Sequence, residues 1–316
     1  MLRSNRWITQ VIVSSALFLI TIDMTVLYMA LPTLVRELHA TATEKLWIIN
    51  AYGLVVAGFL PGLGTLGDKV GHKLMFMLGL IIFGVASLTA AYSPGSTQLI
   101  IARAFLGFGA AMMMPATLSL IRPTFPDTKE RAFALGVWSA ISSGGAAMGP
   151  VIGGFLLEYF NWGAVFLINV PIAILALLGA IFLMPPNDKN MGHKWDFISS
   201  VQILIAIVTL TAAIKEVSKL NTSWGFFALL FGSGALALYF FIRRQKGLEA
   251  PLINLALFKN SVFTVGVATA VLGSIIMVGL ELVLSQRLQL VVGLSPIHAG
   301  LYILPLPLAA FVGGPV

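Results

Sequence analysis

Long apolar stretches separated by short polar loops dominate the sequence. Nine of them are complete, and each is close to the roughly 20 residues that a helix needs to cross a bilayer core of about 30 Å. They cover residues 7–31, 47–66, 74–92, 98–121, 132–157, 164–184, 197–214, 224–242 and 261–283, and a tenth begins near Ile297 and continues to Val316. Because lipid cannot hydrogen-bond an exposed backbone, these stretches predict α-helices. The pattern predicts an all-α membrane protein with about ten transmembrane helices.

The composition supports a membrane location and limits the chemistry. Of the 316 residues, 58% are hydrophobic and only 10% are charged, whereas a soluble domain carries about 25% charged residues. The chain has no cysteine, which excludes disulfides and thiolate metal sites. The four histidines lack the spacing of metal ligands. We therefore expect no metal and no cofactor.

Basic residues in the loops predict how the chain crosses the membrane. With the N-terminus inside, 13 Lys and Arg residues lie in inner loops and 5 in outer loops, and Arg103, within a span, completes the 19. Cytoplasmic loops carry such an excess, so we expect a cytoplasmic N-terminus. The basic residues behind the formal charge of +7 are thus explained by the orientation of the chain in the membrane, so we expect no nucleic-acid partner. The run from Trp7 to Leu31 is too long for a signal peptide and predicts a retained first helix.

A glycine-rich turn with several charges follows the second span. Its distinctive residues are Gly64, Asp68, Lys69, Gly71, His72 and Lys73. Glycines permit a tight reversal and a close approach of two helices, and an acid beside several bases can form a cytoplasmic ion-pair contact. The alternative is an ordinary basic inner loop. Gly62, Gly64 and Gly67 also spell G-x-G-x-x-G, but a nucleotide fingerprint requires a strand and a helix in a soluble βαβ unit.

The fifth span carries glycines at intervals of four residues. The motif consists of Gly145, Gly149, Pro150, Gly153 and Gly154. Small residues at this spacing clear a groove along one helix face for close helix packing, and Pro150 removes a backbone hydrogen bond and permits a kink. The motif therefore predicts close packing of this helix against a neighbour, and the alternative is that packing is its only role.

Three charged residues lie within the apolar spans. Burial of an unpaired carboxylate favours its protonated form, so Asp23, near the middle of the first span, is expected to hold a proton near neutral pH and release it to a wet cavity; the alternative is a capping or packing Asp. Arg103 costs roughly 2.5–3.5 kcal/mol in a span and should face a partner or a wet cavity, unless it extends to the outer surface. Glu281 is either a second proton or cation site or an acid at the membrane interface.

Other residues carry weaker predictions. Asp127 and Glu130 are expected to be solvated partners of Lys129 and Arg131, and residues 252–258 are expected to form a short interfacial helix. Methionine and aromatic surfaces suit bulky cations. The candidates for such a cavity lining are Met112, Met113, Met114, Phe18, Tyr28 and Trp138.

These motifs resemble those of the major facilitator superfamily. Residues 64–73 are similar to its loop signature G-x-L-x-D-[RK]-x-G-[RH]-[RK]. Residues 99–111 resemble its fourth-helix motif, with Leu106 where glutamine is common. Residues 145–154 are similar to the antiporter motif g-x-x-x-G-P-x-x-G-G, which marks exporters more than importers.

Three further stretches narrow the resemblance to one branch. Residues 22–32, 161–171 and 293–305 are similar to the fourteen-span drug:proton antiporters, and most like exporters for methyl viologen and quaternary ammonium biocides. The resemblance implies two six-helix halves around a cavity, with two inserted helices between them. Residues 1–190 would be the first half, 191–250 the insert and 251–316 the incomplete start of the second half. On this basis the chain is expected to be C-terminally truncated, with about ten of fourteen helices.

The resemblance implies a function as well. A bacterial inner-membrane transporter would export lipophilic or quaternary ammonium cations in exchange for protons by alternating access, with a carboxylate shared between proton and cation. We expect a monomer. We also expect that it is not an enzyme, since paired catalytic carboxylates and a Ser–His–Asp set are not apparent. The phosphate-binding pattern G-x-x-x-x-G-K-[ST] is also absent, so a gradient would supply the energy. The alternatives are a facilitator-type importer or uniporter, or a non-transporting fragment.

Overall fold

A computed structural model describes residues 6–187, 196–217, 222–248, 251–253 and 255–306, and this part of the chain is helical apart from short connections. The α-helices are α1 (Arg6–Glu37), α2 (Ala42–Val70), α3 (His72–Ala91), α4 (Ser96–Thr124), α5 (Thr128–Tyr159), α6 (Ala164–Leu167), α7 (Asn169–Leu183), α8 (Phe197–Val217), α9 (Trp224–Gly247), α10 (Ser261–Leu290) and α11 (Pro296–Ile303). A 3₁₀ helix, Leu255–Lys259, lies where a short interfacial helix was predicted.

Nine helical spans within the described residues are long and apolar enough to cross a membrane, with α6 and α7 counted as one span. They coincide with the nine complete stretches predicted from the sequence. The tenth stretch begins with α11, and its part from residue 307 lies outside the described residues. Four loop residues in the charge count, Arg3, Lys189, Lys194 and Lys219, also lie outside them.

The helices extend beyond the apolar stretches because polar residues cap their ends. At the start of α2, Thr41 and Glu44 form a reciprocal capping box, which satisfies backbone donors that lack partners in the first helical turn. At the start of α5, the Asp127 carboxylate accepts hydrogen bonds from the backbone nitrogens of Lys129 and Glu130, both at 3.0 Å. Hydropathy detects the part of a helix that lies in lipid, so it misses these capped turns.

The expected pairing of the acids near the start of α5 is wrong. Asp127 serves as a helix cap, and Glu130 forms an ion pair with Arg6 at the start of α1. Negative groups are favourable near a helix N-terminus, where unpaired amides carry partial positive charge. The two acids therefore hold the start of α5, in place of the predicted contacts with Lys129 and Arg131.

Helix α1 is at the centre of the bundle and is the most buried of the described spans. It packs against α4, α5, α7 and α10, while α3 packs against α4 and α7. Helices α8 and α9 pack along each other, and α8 also lies on α2. An added Cβ at Gly58 of α2 would lie 2.9 Å from the Cα of Leu204 in α8. Small residues therefore permit α8 to approach α2 closely.

Candidate functional site

The only acid of the first span is paired with the arginine of the fourth. Arg103 Nη1 donates to Asp23 Oδ2 at 2.5 Å, and the two side chains are 2% and 1% exposed, respectively. The expectation of an unpaired Asp23 is therefore wrong, and so is the alternative that Arg103 extends to the surface. Two opposite charges in contact lower the cost that each would have alone in a low-dielectric interior.

A second side chain, that of Asn169, forms a hydrogen bond with the other oxygen of the Asp23 carboxylate. Asn169, the first residue of α7, donates from Nδ2 to Asp23 Oδ1 at 3.0 Å and to Ser87 Oγ at 3.3 Å. Helices α1, α3, α4 and α7 thus meet in one buried polar network. Asn169 and Ser87 were not predicted as site residues. The available signals for Asn169 were a polar amide inside the predicted span 164–184 and its place in the stretch 161–171 that carries the family resemblance.

Arg103 has two further contacts, both with α2. Its Nε donates to the carbonyl oxygen of Ile48 at 3.4 Å, and its guanidinium carbon lies 4.6 Å from the ring centroid of Tyr52. An aromatic face attracts a cation, and more strongly where water is excluded. Arg103 is therefore held from three sides, by a carboxylate, a carbonyl and an aromatic ring.

A cavity of about 280 Å³ lies beside this network. Helices α1, α2, α4, α8 and α10 contribute to its lining, which includes Met24, Tyr28, Tyr52, Arg103, Thr211 and Val278. Asp23 is absent from the lining, although Arg103 belongs to it. The arginine thus connects a buried acid to a space that the acid does not reach.

Glu281 lies buried on the face of α10 that packs against α1. It is 8% exposed, and within the described part of the chain its Oε1 has no hydrogen-bond partner. On the same face, Ser285 Oγ donates to the carbonyl oxygen of Tyr28 at 2.9 Å, and Gln289 Nε2 donates to that of Met29 at 3.3 Å. This position favours an inward-facing acid over one that reaches lipid headgroups.

The glycines of α5 lie where two other helices pass. An added Cβ at Gly149 would collide with Thr25 Oγ1 and lie 3.2 Å from the backbone nitrogen of Val26 in α1, and one at Gly153 would lie 3.3 Å from the carbonyl oxygen of Val26. Gly145 is similarly blocked, by Thr21 Oγ1 of α1. Close packing, which the four-residue spacing predicted, is therefore present along α1.

The other side of the α5 motif contacts α11. An added Cβ at Gly154 would lie 2.6 Å from the Cα of Ile297, and one at Gly300 of α11 would collide with the carbonyl oxygen of Pro150. In contrast, Gly144 has open space around it. The motif therefore joins α5 to α1 on one side and to α11 on the other.

The charged turn after α2 is fixed by side-chain contacts. His72 Nε2 lies 3.0 Å from Asp68 Oδ1, and Lys73 Nζ donates to the carbonyl oxygen of Met184 at 3.0 Å. Gly71 has φ +99°, a left-handed conformation that glycine adopts without steric cost. Gly64 lies close to Pro115 of α4, because an added Cβ at Gly64 would be 3.4 Å from Pro115 Cβ. Lys69 lies in the last turn of α2.

Asn187, four residues after α7, joins this turn from another part of the chain. Its Nδ2 donates to the carbonyl oxygen of Val70 at 2.8 Å, and its Oδ1 accepts from the backbone nitrogen of Leu74 at 3.1 Å. The amide thus bridges the end of α2 and the start of α3. This contact was not predicted, because Asn187 lies in a polar loop 113 residues after Leu74.

The residues expected to line a cavity are distributed differently. Of that set, Tyr28 borders the cavity described above, whereas Met112 and Met113 are buried in the core. Trp138 Nε1 donates to Thr117 Oγ1 of α4 at 3.0 Å. Among the described residues, no group of three or more His, Asp or Glu side chains is placed to hold a metal ion.

Known proteins with similar sequences are named for drug resistance, efflux or transport. The methyl viologen resistance protein SmvA of Salmonella typhimurium is 44% identical over 99% of this chain and 63% of that protein. The multidrug efflux pump LfrA of Mycolicibacterium smegmatis is 38% identical over 98% of this chain and 62% of that protein. The riboflavin transporter RibZ of Clostridioides difficile is 32% identical over 99% of this chain and 67% of that protein. The chain thus spans about 63% of the length of SmvA.

The sequence profile described as Major Facilitator Superfamily matches residues 13–316. This match covers nearly the whole chain, and the nine apolar spans agree with it. The chain is a multi-pass membrane protein and belongs to the major facilitator superfamily.

Proposed function

We propose that the full-length protein exports lipophilic or quaternary ammonium cations from a bacterial cell in exchange for protons. The names of SmvA and LfrA, a methyl viologen resistance protein and a multidrug efflux pump, support this class of substrate. The observation that carries the proposal is the position of Arg103, which pairs with buried Asp23 and also lines the cavity. This arrangement links a protonatable acid to a space large enough for a small organic cation.

Coupling in this proposal acts through the charge of Arg103. While Asp23 is ionised, its carboxylate neutralises the guanidinium. A proton on Asp23 removes that neutralisation, and the positive charge of Arg103 then acts on the cavity that it lines. Charges in a low-dielectric site interact far more strongly than in water, so a bound cation would be repelled. This mechanism replaces the expected shared carboxylate, because Asp23 does not line the cavity.

The cation would be held by the aromatic faces of the cavity, and Glu281 would attract it from just behind the cavity wall. Tyr28 and Tyr52 border the cavity, and aromatic rings attract organic cations. Glu281 does not line the cavity itself, but it is buried one turn of α10 after Val278, which does, so its carboxylate would supply a negative charge on that side. Asp23 would then carry the proton, and Glu281 would recognise the positive substrate.

The bundle arrangement belongs to the same proposal. Residues 1–190 would form one rigid half, residues 191–250 an inserted pair of helices, and residues 251–316 the start of the second half. The contacts of α5 and α10 with their neighbours would break and re-form as the halves rock. The excess of basic inner loops supports a cytoplasmic N-terminus in the inner membrane, and we propose that the protein is a monomer.

Proton-driven uptake into inside-out membrane vesicles tests the function. With the full-length protein present and the lumen acidified, ethidium or methyl viologen should accumulate, and a protonophore should stop accumulation. The Glu281→Gln variant should raise the KM for methyl viologen about tenfold or more. Accumulation that ignores the proton gradient would contradict the proposal.

Uptake of a neutral molecule is the second candidate. This candidate is an importer or uniporter, and the name of RibZ, a riboflavin transporter, supports it. The same vesicles, given riboflavin without a proton gradient, separate the two functions. Equilibration of riboflavin together with no cation accumulation would favour this alternative.

A further inference from the structure

A cavity with a mixed polar and apolar lining lies at the end of the bundle where α1, α3 and α5 end. Its volume is about 690 Å³, within the range of small-molecule sites, roughly 300–1,000 Å³. Arg36 and Glu37 from the last turn of α1, together with Asn161 and Trp162 after α5, contribute to its lining. Helix ends of this kind lie at the boundary between lipid and water, where tryptophan and tyrosine are enriched.

An apolar groove begins beside this cavity and follows the membrane-facing side of the bundle. It has a volume of about 610 Å³ and lies between the end of α3 and the start of α4. Leu88, Ile101 and Phe105 line it, and their side chains are exposed on the protein surface. In a membrane-spanning bundle this surface faces lipid acyl chains, so one acyl chain can lie along the groove.

Tyr92 lines both spaces. It is the residue that ends α3, and its side chain is 74% exposed. The mixed cavity and the apolar groove therefore adjoin, with the amphipathic tyrosine at the boundary. A ligand that fills both must have a polar head at the membrane surface and an apolar tail along α3 and α4.

The charges of the cavity specify the head. Arg36 Nη2 and Glu37 Oε1 lie 3.5 Å apart, and their side chains are 76% and 51% exposed. Such an exposed pair contributes little by itself, so both groups remain able to bind a ligand. A guanidinium binds phosphate well, and a carboxylate binds an ammonium. Together they fit a headgroup that carries one of each.

We propose that this composite site binds one phospholipid whose headgroup contains both a phosphate and a primary ammonium. The phosphate pairs with Arg36, the ammonium with Glu37, and one acyl chain lies in the groove between α3 and α4. The site is separate from the Asp23 network and the transport cavity. It therefore does not depend on which substrate the protein moves or in which direction.

Lipid retention measured by native mass spectrometry tests the site. Purified full-length protein, stripped of lipid in detergent, is titrated with phosphatidylethanolamine or phosphatidylglycerol. We expect one phosphatidylethanolamine to bind at least fivefold more tightly than phosphatidylglycerol. Arg36→Gln should weaken this binding at least fivefold, Glu37→Gln should abolish the preference between the two lipids, and Thr89→Trp should block the groove.

Matched substitutions separate the site from general effects on the fold. Arg287 also lies in the last turn of its helix, and Val85 is an exposed residue of α3 outside the groove, so Arg287→Gln and Val85→Trp should leave lipid binding unchanged. Equal losses in the site variants and their controls would overturn the proposal, as would a preference for phosphatidylglycerol. Full displacement of the lipid by soluble glycerophosphoethanolamine would also overturn it, because the groove would then contribute nothing.

Discussion

Arg103 Nη1 lies 2.5 Å from Asp23 Oδ2, across 80 residues of sequence and between two different helices. The pair makes a sharp prediction about stability. Asp23→Asn leaves the Arg103 charge buried without its counterion, which costs about 3–5 kcal/mol. The double variant Asp23→Asn with Arg103→Gln should recover most of that loss, and thermal unfolding in detergent measures both.

The same pair predicts the transport behaviour. Asp23→Asn should insert in the membrane yet lose proton-driven export, because residue 23 can no longer bind or release a proton. The double variant should remain inactive even where its stability is restored. Unimpaired export by Asp23→Asn vesicles at equal protein level would refute the coupling role.

Gly149 should tolerate little added volume, because Thr25 and the backbone of Val26 occupy the space beside it. Gly149→Leu is expected to reduce export far more than Gly149→Ala, since overpacking typically costs about 1–3 kcal/mol. Gly144, on the same helix, has open space, so Gly144→Leu is the matched control. Wild-type export by both Gly149 variants would mean that the close approach of α1 and α5 has no role in export.

Asn187 should hold the charged turn between α2 and α3. Asn187→Ala removes both hydrogen bonds to the backbone of Val70 and Leu74, each worth about 1 kcal/mol. We expect faster amide exchange at Leu74, because its backbone nitrogen donates to Asn187 Oδ1. Asn187→Asp keeps that acceptor and loses the donor to Val70, so it should protect the Leu74 amide better than Asn187→Ala does.

Asp196, just before α8, and Arg244, in the last turn of α9, join these two helices and give a prediction about pH. Arg244 Nε and Nη2 donate to the two Asp196 oxygens at 2.9 and 3.1 Å. Burial raises the pKa of Asp196, but hydrogen bonds from Arg244 and Ser199 outweigh it, so the pKa lies below the ordinary value of 3.8. A lowered acid pKa means that the stabilisation is full above 3.8 and is lost as pH falls through the folded-state pKa.

The measurement is the difference in melting temperature between wild type and Asp196→Asn. The difference in melting temperature should be present at pH 7 and should shrink progressively as pH falls below 3.8. Because the Arg244 side chain is 37% exposed, the effect should be about 1 kcal/mol or less. In an Arg244→Gln background, the Asp196→Asn substitution should change the melting temperature little at either pH. If the difference in melting temperature persisted unchanged at low pH, it would come from packing and not from the ion pair.

The transmembrane architecture was predictable because lipid imposes a simple requirement on every span. About 20 apolar residues must be helical in a bilayer, and the nine complete stretches match the nine spans of the described residues. The extra turns were not predictable from hydropathy, since caps such as Thr41 and Asp127 are polar. The motifs also indicated the superfamily, which the profile match confirms.

Two residues of the buried polar network were predictable from the sequence, and their contacts were not. Asp23 and Arg103 were identified because a charge in an apolar span is costly, but nothing in the sequence indicates that the two charges meet. The glycine spacing in α5 predicted close packing without naming α1 and α11 as the partners. Asn169 was missed because a neutral amide within a span costs less than a charge and therefore does not stand out as Asp23 and Arg103 do.

The Asp23–Arg103 pair also constrains the synthesis of the protein. The ribosome adds roughly 5–20 residues per second, so the 80 residues between the partners take roughly 4–16 s. During that time α1 has left the ribosome, yet its acid has no counterion. An insertion machinery that released each helix into lipid at once would expose Asp23 to hydrocarbon. The nascent first helix must therefore wait, neutralised by a proton or sheltered beside the translocation channel, until the fourth arrives.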